Sequence, residues 1–442
     1  MIYLLLFFLL LFGVIVYLFN GKSFFSPSLI VVFSFGISCI TLIFNHSFFG
    51  YEDISSYSLV IIIFSLVALI VGELFGKYMI LRKRSDHSLV SIRRNRYLPT
   101  DYNYSVNKWF LAIVITLGVF VVASKAITVY KLSLTLGNVG GFWNSFSVVR
   151  KYVNSGETIQ VNRFITYTAV FVKASSLYCV FVFLQDLFFK KKIAFKLIVP
   201  LILYSIYTLT STARTGVIEM FAAFLIMFFA FAIAKNVNKK TTNRLIVVSS
   251  IIVFAFLIVV FIIAGNIRTM DYSENTASDF VNYLGSPLIV FSRWLEGNET
   301  SPFVGYATVP QLVNILNRLG IVNVSVSYKE MYTAETVLQS SMSNLKTWLK
   351  APIQDFGIAG MIISRFFIGI LYTFVTSFIT NQRLSKGHIG CFIFGCLLFY
   401  PIISASIADK FGNYIQLETI LLALCFGIFG HFGKKYNRPI KI

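Results

Sequence analysis

The sequence predicts an all-α, polytopic membrane protein, a bundle of about 11 transmembrane helices with one long polar segment outside the membrane. Three observations predict this class. Charged residues make up 13% of the chain, against about 25% in soluble domains. Mean hydropathy is +0.78, and apolar runs of about 20 residues, the length that crosses a bilayer, recur along the chain. Only the interval from Gly265 to Asp355 is both long and polar.

The apolar runs place the predicted spans in chain order. The first run lacks a preceding basic stretch and a small-residue cleavage site, so we expect a retained span and not a signal peptide. The spans are expected at 2–19, 28–45, 57–81, 108–130, 162–188, 196–212, 214–234, 245–264, 356–379, 389–406 and 412–432. This gives three regions: N-terminal spans 1–264, a long outer segment 265–355 and C-terminal spans 356–442.

Lysine and arginine divide the connecting loops into two sets. The strongly basic loops contain Lys22, the stretches 82–96, 190–192 and 235–244, residues 383–386 and the C-terminal tail. Short basic loops remain in the cytoplasm. The long segment is then on the outer side, together with the loops at 46–56, 131–161 and 407–411. For a bacterial inner-membrane protein, this puts the N-terminus in the periplasm and the C-terminus in the cytoplasm.

Charge and cysteine content exclude two other classes. The net charge of +20 does not predict nucleic-acid binding, because the basic residues lie at span ends and not on one amphipathic face. No disulfide is expected, because every cysteine falls inside a predicted span: Cys39, Cys179, Cys391, Cys396 and Cys425.

Motifs for nucleotide, zinc and serine-hydrolase chemistry are absent from the sequence. It has no P-loop, no GxGxxG, no GxSxG and no HExxH. The four histidines are scattered, and the outer loops lack a DxD pair for a metal-bound nucleotide sugar. We therefore expect no metal and no cofactor, and a chemistry of arginines and carboxylates at the outer membrane surface.

The long outer segment has helical patterns of its own. Pro310 suits the first turn of a helix, and apolar residues recur there at helical spacing: Val309, Leu312, Val313, Leu316 and Leu319. Apolar residues at 280–284 and 288–295 predict two further pieces, broken at Gly285-Ser286-Pro287. We expect these helices to lie along the outer membrane interface.

Ionisable residues inside predicted spans are energetically costly and indicate function. The candidates are Lys125, Lys173, Glu219, Arg365 and Glu418. Arg214 lies at the tip of a hairpin between two spans, after the hydroxyl-rich stretch 204–212. Arg214 either snorkels to lipid headgroups and pairs with Glu219, or lines a polar cavity. The hydroxyl groups favour the cavity.

Two more arginines are expected near the outer mouth of the bundle. Arg268 follows the eighth predicted span, and Arg293 lies in FSRWLEGNE beside Trp294. Arg293 either pairs with Glu296 on a helix surface or contacts a phosphate or sugar, with Trp294 as a stacking face. Guanidinium groups suit bidentate phosphate binding, so we name the three outer arginines (Arg214, Arg268 and Arg293) as candidate ligands. Two others are candidate substrate contacts: Arg150 and Arg318.

Two short motifs and the span layout carry a resemblance to a known family. The turn Ala213-Arg214-Thr215-Gly216 opens a span, and Asp355-Phe-Gly-Ile-Ala-Gly360 returns the chain to the membrane after one long outer loop. In these features the chain resembles the bacterial O-antigen, or oligosaccharide repeat-unit, polymerases (the Wzy family). The resemblance implies a GT-C-like, membrane-embedded glycosyltransferase of lipopolysaccharide or capsular polysaccharide biosynthesis. Its donor and acceptor would be undecaprenyl or other polyprenyl-pyrophosphate-linked glycans, with membrane lipid and a chain-length regulator protein as partners.

The resemblance also suggests roles for residues. A pyrophosphate leaving group needs charge stabilisation more than a proton donor, so the three outer arginines are expected to hold it. The acceptor hydroxyl needs a base, for which Asp271 is favoured by its closeness to Arg268 in the sequence; Asp279, Glu296 and Glu299 are alternatives. Arg365 either completes the phosphate pocket or pairs with Glu418.

Three alternatives to a polymerase remain. An O-antigen ligase is expected to carry a histidine in its long outer loop, and residues 265–355 contain none. A flippase or transporter of the lipid-linked unit usually shows internal repeats, which we do not find in the sequence. A non-enzymatic scaffold would leave the three outer arginines unexplained.

Overall fold

The fold is described from a computed structural model of the chain. The structure describes residues 1–50, 52–86, 103–138, 140–154, 159, 161–210, 215–235, 239–268, 276–297, 301–324, 335–336, 342–343, 345–380, 389–432 and 434–435. These residues are mostly helical. Their extended structure consists of two-residue antiparallel pairs: β1 (Asn103–Tyr104) with β4 (Lys434–Lys435), and β2 (Glu335–Thr336) with β3 (Met342–Ser343).

The helices of the described residues follow one another along the chain. They are α1 (Ile2–Phe19), α2 (Pro27–Phe44), α3 (Ser56–Asp86), α4 (Lys108–Thr135), α5 (Gly141–Asn154), α6 (Arg163–Phe189), α7 (Val199–Thr210), α8 (Thr215–Ala234), α9 (Lys239–Arg268), α10 (Thr276–Glu296), α11 (Pro310–Arg318), α12 (Lys350–Thr380), α13 (Ile389–Leu397), α14 (Tyr400–Ile403) and α15 (Leu417–Phe432). Short 3-10 helices occur at Phe195–Leu197 and Phe411–Tyr414.

Within the described residues, 7 helices are long and apolar enough to cross a membrane: α1, α2, α3, α4, α6, α8 and α12. Shorter apolar helical stretches occur at Phe195–Thr210, Ile389–Ile403 and Leu417–Phe429. Each of these elements coincides with a predicted span, and the remaining predicted span, 245–264, lies within α9. The predicted class, an all-α polytopic membrane bundle, is therefore confirmed. The number of spans and their orientation stay predictions.

The chain forms two compact units. Unit 1 comprises Met1–Arg94, Ala277–Ser377 and Pro401–Gln416, and unit 2 comprises Asn95–Thr276, Phe378–Tyr400 and Leu417–Ile442. Each unit combines N-terminal with C-terminal spans. The units thus cut across the three regions that hydropathy distinguishes.

Glycines bring α3 and α12 into backbone contact in unit 1. A Cβ atom on Gly369 would collide with the carbonyl oxygen of Leu69 and would lie 2.8 Å from the backbone nitrogen of Glu73. A Cβ atom on Gly76 would lie 2.9 Å from Cβ of Thr373. Small residues on facing turns permit such close approach between membrane helices. The contact depends on the absence of side chains at these positions.

A buried carboxylate from α3 holds the start of α2. Ser26 Oγ caps α2 by accepting from the backbone N–H of Leu29, and it lies 2.9 Å from both carboxylate oxygens of Glu73. The backbone N–H of Ser28 donates to Glu73 at 3.0 Å, and Lys77 Nζ lies 2.6 Å from it. Negative charge stabilises a helix N-terminus. The sequence around Glu73 predicts no role for it. In the structure, its carboxylate holds the N-terminus of α2.

The predicted break at Gly285-Ser286-Pro287 is wrong, because α10 continues through all three residues as one helix. Every residue from Leu284 to Ser292 is buried. Burial on all sides is the pattern of a packed helix and not of one lying along an interface. Packing therefore maintains a helix that Gly285 and Pro287 would interrupt in isolation, and Gly285 leaves room for the ring of Phe49.

The predicted helix at Pro310 is confirmed as α11. Pro310 occupies its first turn, where the missing N–H has no intrahelical partner to lose. Val313 packs with Tyr306 in a small core that also includes Phe303 and Val324. The polar segment of unit 1 thus has a hydrophobic centre of its own.

α12 is bent near its start, at Gly357. This residue has φ 68° and ψ −176°, a combination essentially restricted to glycine. The bend separates a short leading piece, 350–356, from the long apolar part that follows. Asp355, in the motif that returns the chain to the membrane, lies at the end of the leading piece.

The central helix of unit 2 is α6. Residues 174–185 are buried without interruption, and α4, α7, α8, α13 and α15 all contact it. A helix that is apolar on every side is expected at the centre of a bundle. Its position brings Lys173, one of the predicted intramembrane charges, into the interior of the unit.

Candidate functional site

The structure describes half of the predicted site residues in full. Arg293, Trp294, Arg318 and Arg365 belong to unit 1. Arg214 and Asp271 lie outside the described residues. The helical positions of two further candidates are described without their side chains: Arg150 in α5 and Arg268 at the end of α9. Convergence of the three outer arginines on one pyrophosphate therefore stays a prediction.

Arg293 ties α10 to the loop between α2 and α3. Its Nη2 atom forms an ion pair with Oε1 of Glu52, and both side chains are more than a third exposed. Beside it, Ser292 Oγ accepts from the backbone N–H of Ser55 at 2.8 Å. The partner is thus a residue distant in sequence, not Glu296 on the same helix. A partly exposed pair of this kind contributes little stability, and the guanidinium remains reachable from solvent.

Trp294 offers less surface than a sugar-stacking role requires. Its side chain is 5% exposed. The indole stacks on Phe291 with ring centroids 6.3 Å apart, and Lys350 Nζ lies 5.7 Å from its centroid. In this structure Trp294 acts as a packing residue that links α10 to the start of α12. Arg318, by contrast, is exposed at the end of α11.

Arg365 is the most deeply buried charge of unit 1. It projects from α12, is 1% exposed, and lies against Trp348, whose ring centroid is 4.0 Å from its Cζ. The ring of Phe411 is 5.8 Å away. Nη2 donates to the carbonyl oxygen of Trp348 at 2.5 Å. A guanidinium in a membrane-crossing helix is energetically costly, and its presence there by default indicates a function. This cluster is therefore the strongest candidate site among the described residues of the unit.

The charge of Arg365 is only partly compensated. Its nearest carboxylate is Asp409, whose Oδ2 lies 3.9 Å from Nη2, beyond hydrogen-bond distance. Arg365 Nε and Trp348 Nε1 are both buried without a hydrogen-bond partner. Pairing with Glu418 was one of the two alternatives for Arg365. Within unit 1, the carboxylate near Arg365 is that of Asp409, at this longer distance. We name Arg365, Asp409, Trp348 and Phe411 the Arg365 cluster.

A second carboxylate, Asp355, fastens the polar segment to the start of α12. Its oxygens accept hydrogen bonds from the backbone N–H of Ala307 at 3.0 Å, from the backbone N–H of Thr308 at 2.7 Å and from Thr308 Oγ1 at 2.7 Å. Ser301 Oγ donates to it as well. The backbone N–H of Ser301 donates to Gln354 at 3.0 Å. The loop 301–308 is thereby fixed over the bend at Gly357.

Unit 2 contains a separate polar cluster on α6, α7 and α8. Lys173 Nζ of α6 lies 2.6 Å from Glu219 Oε2 of α8, with side chains 12% and 15% exposed. Tyr204 of α7 is buried, and Glu219 and Glu418 both act electrostatically on its hydroxyl. Tyr207 lies beside it at 5.8 Å between ring centroids. Tyr204, from the hydroxyl-rich stretch, thus lies near both Tyr207 and Glu219 inside the unit.

Breaking the Lys173–Glu219 pair should destabilise the protein more than removing it. Lys173→Met leaves a largely buried carboxylate without its cation, which costs about 3 kcal/mol. The double variant Lys173→Met/Glu219→Leu leaves no unpaired charge and should recover most of that loss. Unfolding of the purified protein in detergent, followed by tryptophan fluorescence, measures the cycle. A loss in the double variant equal to the sum of the losses in Lys173→Met and Glu219→Leu would show that the pair has no energetic coupling.

Sequence reasoning missed Asp409 and gave Asp355 only a place in a motif. Asp409 lies in the short loop predicted at 407–411, where a charged residue is ordinary. Asp355 gains its role from residues 47 to 54 positions away. One available signal was the predicted intramembrane Arg365, which requires a counter-charge in a nearby loop.

No family model, no curated protein and no solved structure matches this chain. Within the described residues, no group of three His, Cys, Asp or Glu side chains is placed to hold a metal ion. The function of this chain is therefore inferred from the side-chain contacts within each unit.

Proposed function

We propose that this protein is a membrane-embedded glycosyltransferase that polymerises polyprenyl-pyrophosphate-linked oligosaccharide repeat units into a surface polysaccharide. The reaction takes place at the periplasmic face of the bacterial inner membrane. One lipid-linked glycan is the donor, and a second lipid-linked repeat unit is the acceptor. The released group is a polyprenyl diphosphate.

The observation that carries the proposal is the buried, incompletely paired guanidinium of Arg365. An arginine with a hydrogen-bonded carboxylate partner is neutralised, whereas Arg365 keeps its nearest carboxylate at 3.9 Å. Its Nε has no partner. A positive charge that is held between aromatic rings at low dielectric stabilises negative charge far more strongly than one in water. A departing diphosphate develops such charge.

The remaining features fit a lipid-linked substrate. Arg293 is partly exposed on the same unit and supplies a second guanidinium for a phosphate or sugar oxygen. The polar segment, fixed by Asp355, offers hydroxyl and amide groups for a glycan. Arg214, Arg268 and Asp271 are the further residues that the sequence predicts for this reaction.

Surface glycan length in a deletion strain tests this function. The strain carries the wild-type gene or one of the variants Arg365→Gln, Arg293→Ala, Arg214→Ala or Asp271→Asn. We expect the Arg365→Gln strain to display glycan of a single repeat, because units are still flipped and transferred but are no longer joined. Protein in the membrane fraction is quantified by immunoblotting.

The alternatives predict a different pattern. Loss of a flippase or of a ligase removes the glycan from the surface altogether. Arg163→Ala serves as the matched control, because Arg163 is an exposed arginine at the start of α6 and is not part of the site. Full-length glycan from all four site variants at normal protein levels would refute the site assignment.

A further inference from the structure

The proposed reaction leaves one chemical requirement without a described residue. The acceptor hydroxyl must lose a proton as it attacks the donor sugar, and a carboxylate is the suitable base. Asp271, the candidate favoured from the sequence, lies outside the described residues. We therefore compared the carboxylates that the structure does describe in unit 1.

Four of these carboxylates are already occupied by other groups, and a fifth, Glu296, is exposed to water at the end of α10 and lacks the shelter of a buried base. Asp355 accepts from Ser301, Ala307 and Thr308. Glu52 forms an ion pair with Arg293. Asp53 binds the N-terminal ammonium and the N–H of Ile2. Glu73 binds Ser26, Ser28 and Lys77. Asp53, Glu73 and Asp355 accept hydrogen bonds on both carboxylate oxygens, and the charge of Glu52 is already committed to its ion pair with Arg293.

Asp409 differs from them in its hydrogen bonding. The backbone N–H of Phe411 donates to its Oδ1 at 3.0 Å. Oδ2 accepts no hydrogen bond from any described residue, and Arg365 Nη2 lies 3.9 Å from it. One oxygen is thus fixed in direction while the other stays open to an incoming hydroxyl.

The position of Asp409 combines shelter with access. Its side chain is 15% exposed, whereas that of Arg365 is 2% exposed. Asp409 therefore forms the outer edge of the Arg365 cluster, between the guanidinium and the outside of unit 1. A hydroxyl that arrives from solvent therefore reaches the carboxylate more readily than the guanidinium.

The surroundings of Asp409 favour its protonated form more than water does. Burial raises the pKa of Asp409 above the usual value of 3.8. The charge of Arg365, the N–H of Phe411 and the charge of Lys410 lower the pKa, and Asp355 raises it; burial dominates. A raised pKa brings a carboxylate closer to the working range of a general base.

We propose that Asp409 is the proton acceptor of the transfer reaction, an inference that rests on the function proposed above. The acceptor oxygen bonds to the anomeric carbon of the donor sugar while the bond from that carbon to the diphosphate oxygen breaks. The diphosphate leaves with the electron pair. The hydroxyl proton passes to Oδ2 of Asp409, which then releases it to water. Arg365 balances the charge of the carboxylate before the transfer.

Polymerisation by the purified protein in detergent tests the proposal. The substrate is the lipid-linked repeat unit extracted from the deletion strain, and chain growth is followed on gels. Asp409→Asn should lower the rate by about 100- to 10,000-fold, the range expected for loss of a general base. Asp409→Ala should be equally slow and should regain rate with added formate, because a small carboxylate can fill the vacated position.

Two further measurements separate chemistry from folding. Formate rescue and pH dependence respond to proton transfer and not to packing. Because only the ionised form accepts a proton, the wild-type rate should fall with decreasing pH through a pKa above 3.8. The matched control is Asp53→Asn, which makes the same change at an occupied carboxylate of unit 1 and should keep the wild-type rate.

The outcomes discriminate between the proposals. If the wild-type protein polymerises and Asp409→Asn retains more than a tenth of its rate, Asp409 is not the base, while the polymerase function stands. Loss of rate in Asp271→Asn together with normal rate in Asp409→Asn would assign the base to Asp271. Failure of the wild-type protein to extend the lipid-linked unit would overturn both the polymerase function and the inference.

Discussion

Gly369→Ala is expected to prevent stable assembly of unit 1. The added methyl group would collide with the carbonyl oxygen of Leu69 and would lie 2.8 Å from the backbone nitrogen of Glu73. Both obstacles are backbone atoms of α3, so no side chain can rotate away. Overpacking that only a backbone shift can relieve costs about 3 kcal/mol or more. The close contact between α3 and α12 would be lost, and with it the position of Arg365.

The free energy of unfolding in mixed detergent and the yield in the membrane fraction both measure this effect. Gly36→Ala is the matched control, because Gly36 lies in helix α2 of the same unit and an added Cβ would meet nothing within 4 Å. That variant should gain up to about 1 kcal/mol from better helix propensity. Equal stability of the two variants would show that α3 and α12 do not pack through Gly369.

Asp355→Asn is expected to release the loop 301–308 from the start of α12. The carboxylate accepts from two backbone N–H groups and two hydroxyls. An amide replaces one acceptor oxygen with a donor that faces other donors. Hydrogen bonds to a charged group contribute about 1.5–3 kcal/mol each. We therefore expect the loop to open locally. If the proposed function is right, polymerisation falls at least tenfold, since the segment proposed to contact the glycan is no longer fixed.

Hydrogen exchange followed by mass spectrometry tests this directly. The amides of Ala307 and Thr308 should exchange much faster in Asp355→Asn, while peptides from α2 and α3 keep their protection. Ser301→Ala removes a single donor to the carboxylate and should show a smaller change in the same peptide. Unchanged exchange at 307–308 in the Asp355→Asn protein would contradict the anchoring role.

The Arg365 cluster explains how one unit holds charge within a membrane bundle. Asp409 neutralises Arg365 only at long range, and the indole of Trp348 and the ring of Phe411 lie close to the guanidinium. Such a site is expensive to maintain and supplies strong electrostatic stabilisation to an arriving anion. The Lys173–Glu219 pair of unit 2, at 2.6 Å, is tightly closed by comparison. This contrast makes the Arg365 cluster the better candidate for binding a diphosphate.

The sequence alone determined the membrane class and the placement of helices. Hydropathy located the spans that α1, α2, α3, α4, α6, α8 and α12 form. Helical spacing after Pro310 located α11. These features depend on runs of about 20 neighbouring residues or on a period of 3.6, and such local signals survive in a single chain. Intramembrane charge likewise identified Lys173, Glu219 and Arg365 without a structure.

Only the tertiary structure decided which charges are paired and which remain open. Arg293 pairs with Glu52, which lies 241 positions away in the sequence. Asp409 lies beside Arg365 with only its Oδ1 hydrogen-bonded, to the N–H of Phe411. The helix through Pro287 continues because neighbouring elements of unit 1 enclose it, an influence that local propensity cannot convey. Backbone packing between helices, as at Gly369 of α12 against α3, brings together residues that are distant in sequence. Composition and spacing specify the helices, whereas the contacts between them specify the chemistry of the site.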